Sequence, residues 1–116
     1  MKSLFVLLTA LTAGCAMTPA DMRQTDPAER VTLERAPMSA ASCVARNIEN
    51  TRDAWYGVHP AFVREGVKPG TAEISVPEIL IADFVPIGAG SAATIYVSPV
   101  PLTVYKERYI GAFKGC

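Results

Sequence analysis

The chain has 116 residues, half of them apolar and 19% charged, and its eleven Lys and Arg balance eleven Asp and Glu. This length allows one small domain and excludes two. The apolar content is too high for a fully disordered chain, and the balanced charge does not indicate a nucleic-acid-binding protein. No pattern in the sequence indicates a cofactor.

The first residues have the anatomy of a targeting signal. Lys2 provides a short basic start, and residues 4–11 form an apolar run of eight. Such a run is too short to cross a bilayer, which takes about 20 residues, and is typical of the apolar region of a signal peptide. Small residues then lead directly to Cys15.

The sequence LTAGC at residues 11–15 resembles the lipobox of bacterial lipoproteins. In that family the signal is cut before the cysteine, and the thiol carries diacylglycerol. The resemblance therefore implies a signal peptide at 1–14 and lipidation of Cys15. Lipoproteins retained in the Gram-negative inner membrane typically have Asp at the next position, so Ala16 implies an outer-membrane anchor facing the periplasm. The alternative is an ordinary secretory signal in which Cys15 has no role.

Residues 15–38 are predicted to be the lipidated N-terminus and a flexible tether, because three prolines and mixed charges interrupt them. A coil of this length would hold the domain tens of ångströms from the membrane. Only Val31 and Leu33 alternate with polar residues, which allows a short strand there. Residues 39–116 are then expected to form one small α+β domain.

The first predicted element of that domain is a helix over Ala40–Asn50. Ala40, Cys43, Val44 and Ile48 fall on one helical face, and Ser39 is a plausible N-cap. Cys43 should therefore face the core from the first turn of this helix.

Residues 51–71 are expected to form a long loop, because glycines and prolines interrupt them without a sustained period. This loop carries the candidate binding residues Trp55, Tyr56, His59 and Phe62. They either fold back over the sheet as a small satellite core or form a surface for a protein partner of the envelope. We expect at least one of Trp55, Tyr56 and Phe62 to be exposed.

Strand patterns dominate residues 72–98. Ile74 and Val76 alternate with polar residues, and residues 79–85 form a nearly continuous apolar run, typical of a central strand, with Asp83 as the exception. A glycine-rich turn at 86–91 and a further strand at 93–97 complete an antiparallel hairpin. The predicted sheet has two or three antiparallel strands. Arg46, Arg64 or Tyr96 could pair with Asp83.

Apolar residues spaced three and four apart favour a C-terminal helix from about Pro101, with Gly115 as its terminating residue, although a strand is the alternative. With Cys15 lipidated, Cys43 and Cys116 remain as an even pair in an oxidising compartment. We therefore predict a Cys43–Cys116 disulfide with α-carbons within about 7 Å of each other.

Two classes of function follow from these features. The favoured one is a non-enzymatic interaction or accessory module, anchored by its N-terminal lipid and using the aromatic loop and an exposed sheet edge. The alternative is a periplasmic cysteine hydrolase with Cys43 as nucleophile, His59 as base and Asn47 or Asp53 as orienting group. One histidine and two other cysteines without metal-ligand spacing do not predict a metal site.

Overall fold

A computed structural model describes residues 18–50, 60–98 and 103–116, with the backbone alone described at 103–106. The elements in chain order are α1 (Pro19–Arg23), β1 (Glu29–Leu33), α2 (Pro37–Asn50), β2 (Phe62–Glu65), β3 (Ala72–Val76), β4 (Leu80–Ile87), β5 (Gly90–Val97) and α3 (Thr103–Gly111).

The strands form one antiparallel sheet in the order β1-β5-β4-β3-β2. This confirms an α+β fold with an antiparallel sheet between helices. It also confirms the apolar run as the central strand, because β4 has strands on both sides. Leu80, Ala82 and Phe84 are fully buried on one face of β4.

The prediction of two or three strands was too low, since the described residues form five. β1 lies in the segment interpreted as a tether, and β2 lies in the segment interpreted as a loop. Both are edge strands of four or five residues whose side chains are mostly exposed. Such strands carry too few apolar positions to show a clear period of two.

The main core lies between α2 and one face of the sheet, which we call the core face. Ala40, Val44 and Ile48 are buried there, as the helical spacing predicted. The helix begins at Pro37, three residues earlier than expected, because proline suits the first position of a helix. Ser39 therefore lies inside the first turn and is not the N-cap.

The C-terminal segment closes one side of this core. The predicted helix is confirmed as α3, and Phe113 beyond it stacks on Phe84 of β4 with ring centroids 5.9 Å apart. Gly115 has a positive φ of 80° and ends this segment in a left-handed conformation, which glycine adopts without a steric penalty. Cys116 is buried at the chain terminus.

The opposite side of the sheet, which we call the α1 face, carries the short helix α1. Thr18 and Asp21 form a capping box, in which each side chain accepts a hydrogen bond from the other residue's backbone N–H. Met22 is 3% exposed, and α1 contacts β4 and β5. Part of the expected tether is therefore folded onto the sheet.

Candidate functional site

The Cys43–Cys116 disulfide joins α2 to the C-terminal residue, with α-carbons 5.9 Å apart, and confirms the predicted pairing. Two further residues hold the same terminus through hydrogen bonds. Asn47 Nδ2 donates hydrogen bonds to the Ala112 carbonyl at 2.9 Å and to Cys116 Sγ at 3.4 Å. The Arg35 backbone N–H donates to the Cys116 carbonyl at 3.2 Å. The disulfide thus fixes the C-terminus between α2 and the end of β1.

Of the residues in the hydrolase hypothesis, Cys43 and Asn47 lie in the described part of the chain, and both contact the C-terminal segment. Cys43 Sγ is bonded to Cys116 and has no thiol to act as a nucleophile. Asn47 contacts the C-terminal segment. His59 and Asp53 lie outside the described residues.

The candidate binding loop is described only at its end. Trp55, Tyr56 and His59 lie outside the described residues. Phe62 opens β2 and is 58% exposed, which confirms the expected exposure for at least one of the three aromatic residues. Its role in binding stays a prediction.

β2 is an edge strand whose partner in the sheet is β3. Val63 packs against the core while its neighbour Phe62 projects to the other face, as alternation along a strand requires. The strand is placed relative to α2 by Glu49, whose Oε1 accepts a hydrogen bond from the Ala61 backbone N–H at 3.4 Å. An edge strand next to an exposed aromatic ring can add a strand from another protein.

A groove of about 380 Å³ follows the other edge of the sheet, between β1 and the C-terminal segment. Val31, Leu33 and Phe113 contribute apolar surface to it, while Glu34 and Lys114 place one charge of each sign at its lining. This groove is open, and most of its lining is apolar.

Four charged residues form an ion-pair network on the α1 face. Arg23 donates to both oxygens of Asp83 at 2.8 and 2.9 Å, and its guanidinium also pairs with Glu73. Arg64 donates to the other oxygen of Glu73 at 2.7 Å. The Glu73 side chain is only 5% exposed, so its charge requires these partners.

The ion pairs of this network stabilise the charged form of Arg23. The bidentate contact with Asp83 raises the pKa of Arg23, and burial opposes this effect without overcoming it. At the start of α1, the hydrogen bond from Thr18 lowers the pKa of Asp21. The charge-assisted hydrogen bonds from Arg23 to Asp83 and Glu73 hold α1 against the sheet.

Sequence reasoning expected a partner for Asp83 but missed Arg23, which lay in the presumed tether. Arg64 instead pairs with Glu73, the residue opposite it in the strand register. A signal was present in Thr18 and Asp21, whose spacing around Pro19 is that of a capping box at a helix N-terminus.

None of the helices in the described part of the chain has the length and apolar character needed to cross a bilayer. The same described residues hold no group of three side chains suited to a metal ion. Comparison with protein-family models, with curated proteins and with solved structures gave no match to this chain.

Proposed function

We propose that this protein is a lipoprotein of the outer membrane, facing the periplasm, that serves as an interaction or accessory module of the cell envelope. The Cys43–Cys116 disulfide is the observation that carries this proposal. Disulfides persist in exported proteins and are rare where thiols are kept reduced. A small domain that depends on one belongs in a compartment such as the periplasm.

The N-terminal sequence supplies the anchor in this proposal. The apolar run at residues 4–11 leads into LTAGC at residues 11–15, and Cys15 stands where lipoproteins carry their lipid. More than one acyl chain gives stable membrane attachment, whereas a single chain binds only marginally. Ala16 then favours the outer membrane.

The interaction role is supported by the edge of the sheet at β2. Phe62 exposes 58% of its surface next to a strand edge, and Trp55 and Tyr56 precede it by a few residues. Large aromatic side chains are enriched among residues that dominate binding energy. We place the contact with an envelope protein partner on this edge together with residues 51–59.

The anchor is tested by replacing Cys15 with Ser. We expect the mature wild-type protein to begin with a lipid-modified Cys15 and to fractionate with the outer membrane. The Cys15→Ser variant should lose both properties. Mass spectrometry of the N-terminal peptide measures the modification. Cys43→Ser is the matched control, because it also replaces one cysteine with serine but leaves the proposed lipidation position intact. An unmodified N-terminus downstream of Cys15 in the wild type would contradict the proposal.

The contact surface is tested by placing a photo-crosslinking amino acid at Phe62 in living cells. We expect a discrete adduct with an envelope protein from this position, because its side chain is exposed beside a strand edge that no described residue covers. Met38 on α2 is the control position, since it is also exposed, at 41%, but lies away from β2. Equal crosslinking from both positions, or none from position 62, counts against an interaction role for this edge.

A further inference from the structure

We propose that the α1 face of the sheet lies against the phospholipid surface of the membrane, with Val85 and Ile87 in contact with lipid. This inference rests on the proposed lipidation of Cys15. It replaces the long flexible tether by a short connection that gives the domain a fixed orientation.

The length of chain between Cys15 and α1 limits how far the domain can lie from the membrane. Only Ala16 and Met17 separate Cys15 from the Thr18 cap of α1, and the three residue steps from Cys15 to Thr18 can span at most about 11 Å. Met22 and Arg23 hold α1 on the sheet by burial and by the ion pairs to Glu73 and Asp83. A lipid on Cys15 would therefore keep the α1 face, on which the chain arrives, closer to the membrane than the core face, which α2 covers.

The same face exposes apolar side chains. Val85 and Ile87 are 44% and 55% exposed, and they follow Ile81 and Asp83 at intervals of two residues along β4. Alternation along the strand places all four on the α1 face, opposite Phe84, which packs in the core. Two exposed branched aliphatic residues beside the β4–β5 turn have no role in the core and suit shallow contact with acyl chains.

The charges on this face also suit a phospholipid surface. Its strand carboxylates, Glu73 and Asp83, are both paired with Arg23, so they do not present free negative charge to lipid phosphates. Arg30 and Arg64 are exposed on the same face, at the two outer strands, and Arg64 also pairs with Glu73. Asp21, the exposed carboxylate of α1, accepts a hydrogen bond from the Thr18 N–H and keeps its negative charge, which partly offsets these arginines. Exposed arginines near a bilayer are attracted to anionic headgroups.

Weak contacts are sufficient because the anchor makes them intramolecular. A short connection gives a high effective concentration of the membrane surface at the α1 face. The domain would then adopt one preferred orientation, with the β2 edge, and Phe62 projecting from the α1 face at that edge, at the rim of the membrane contact.

The test uses the full lipidated chain in vesicles of phosphatidylethanolamine, phosphatidylglycerol and cardiolipin. Ile87→Cys and Arg46→Cys are each labelled with an environment-sensitive fluorophore, while Cys43 and Cys116 remain bonded. Arg46 is exposed on α2, beyond the core face, and serves as the control. We expect nitroxide-bearing lipids to quench the label at position 87 at least threefold more than the label at position 46.

A second variant tests the role of the short connection. Inserting 20 Gly and Ser residues between Met17 and Thr18 should reduce the quenching at position 87 toward that at position 46. Unchanged quenching would overturn the claim that chain length orients the domain. In the lipidated chain without the insertion, equal quenching at positions 87 and 46 would overturn the membrane contact of the α1 face. It would leave the proposed function intact.

Two remaining outcomes separate the possible causes of failure. The N-terminal mass is measured on the same preparation, and an unmodified Cys15 would overturn both the proposed function and this inference. A photo-crosslinker at Ile87 that yields a protein adduct in cells, combined with no quenching in vesicles, would assign this surface to a protein partner and overturn the inference.

Discussion

Replacing Cys43 with Ser is expected to lower the free energy of unfolding by about 4 kcal/mol. The disulfide closes a loop with a sequence separation of 73 residues, and its loss returns that conformational freedom to the unfolded chain. Small domains have net stabilities of about 5 to 15 kcal/mol, so this loss is a large part of the total. Urea unfolding followed by circular dichroism measures the change.

The unfolding experiment has an internal control. Cys116→Ser removes the same bond from the other end, and the double variant removes no further covalent link. All three variants should therefore lose a similar amount of stability, and the wild type should match them in excess reductant. A double variant that loses nearly twice as much as either single variant would show that packing of the two side chains, rather than the bond, is the main contribution.

The central elements of the fold could be predicted because burial imposes a pattern on them. α2 shows apolar residues three and four apart, and β4 shows a nearly continuous apolar run because both of its faces are largely covered. The disulfide could be predicted by counting cysteines once Cys15 was assigned to lipid. Each of these inferences depends on residues whose type is restricted by the core or by the compartment.

The outer elements could not be predicted in the same way. β1 is stabilised through its hydrogen bonds to β5, while Glu29, Arg30 and Thr32 remain exposed and resemble a polar linker. Arg23 pairs with Asp83, which lies 60 residues later in the sequence, and no local sequence pattern links the two residues. Edge strands and long-range ion pairs depend on the assembled sheet, so a single sequence contains little information about them.

Folding of the N-terminal segment changes the functional interpretation of the anchor. A coil over residues 15–38 would let the domain move freely, whereas α1, which packs on the sheet, begins four residues after Cys15. The ion pairs of Arg23 would therefore be part of the connection between the proposed anchor and the domain. The sequence predicts contact surfaces but not how they are oriented toward the membrane. With the proposed anchor at Cys15, the folded N-terminal segment gives these surfaces an orientation relative to the membrane.

The close approach of β5 to β1 supplies the other large expected effect. A β-carbon at Gly90 would lie 2.2 Å from the Leu33 carbonyl oxygen, which is far inside van der Waals contact. That part of β1 cannot move aside easily. Ser91 Oγ donates to the Arg35 carbonyl at 2.8 Å, and the Arg35 N–H donates to the Cys116 carbonyl at 3.2 Å.

We therefore expect Gly90→Ala to lower the free energy of unfolding by about 3 kcal/mol, since overpacking against a fixed backbone forces strands apart. Gly111→Ala is the matched control, because a β-carbon there meets no atom within 4 Å and the residue lies at the end of α3. Alanine favours a helix more than glycine does, so this variant should be unchanged or more stable by up to about 1 kcal/mol. Thermal and urea unfolding of both variants measure the difference, and hydrogen exchange should show the loss of protection concentrated in β1 and the start of β5. If Gly90→Ala is as stable as Gly111→Ala, β1 is held less rigidly against β5 than its hydrogen bonds indicate.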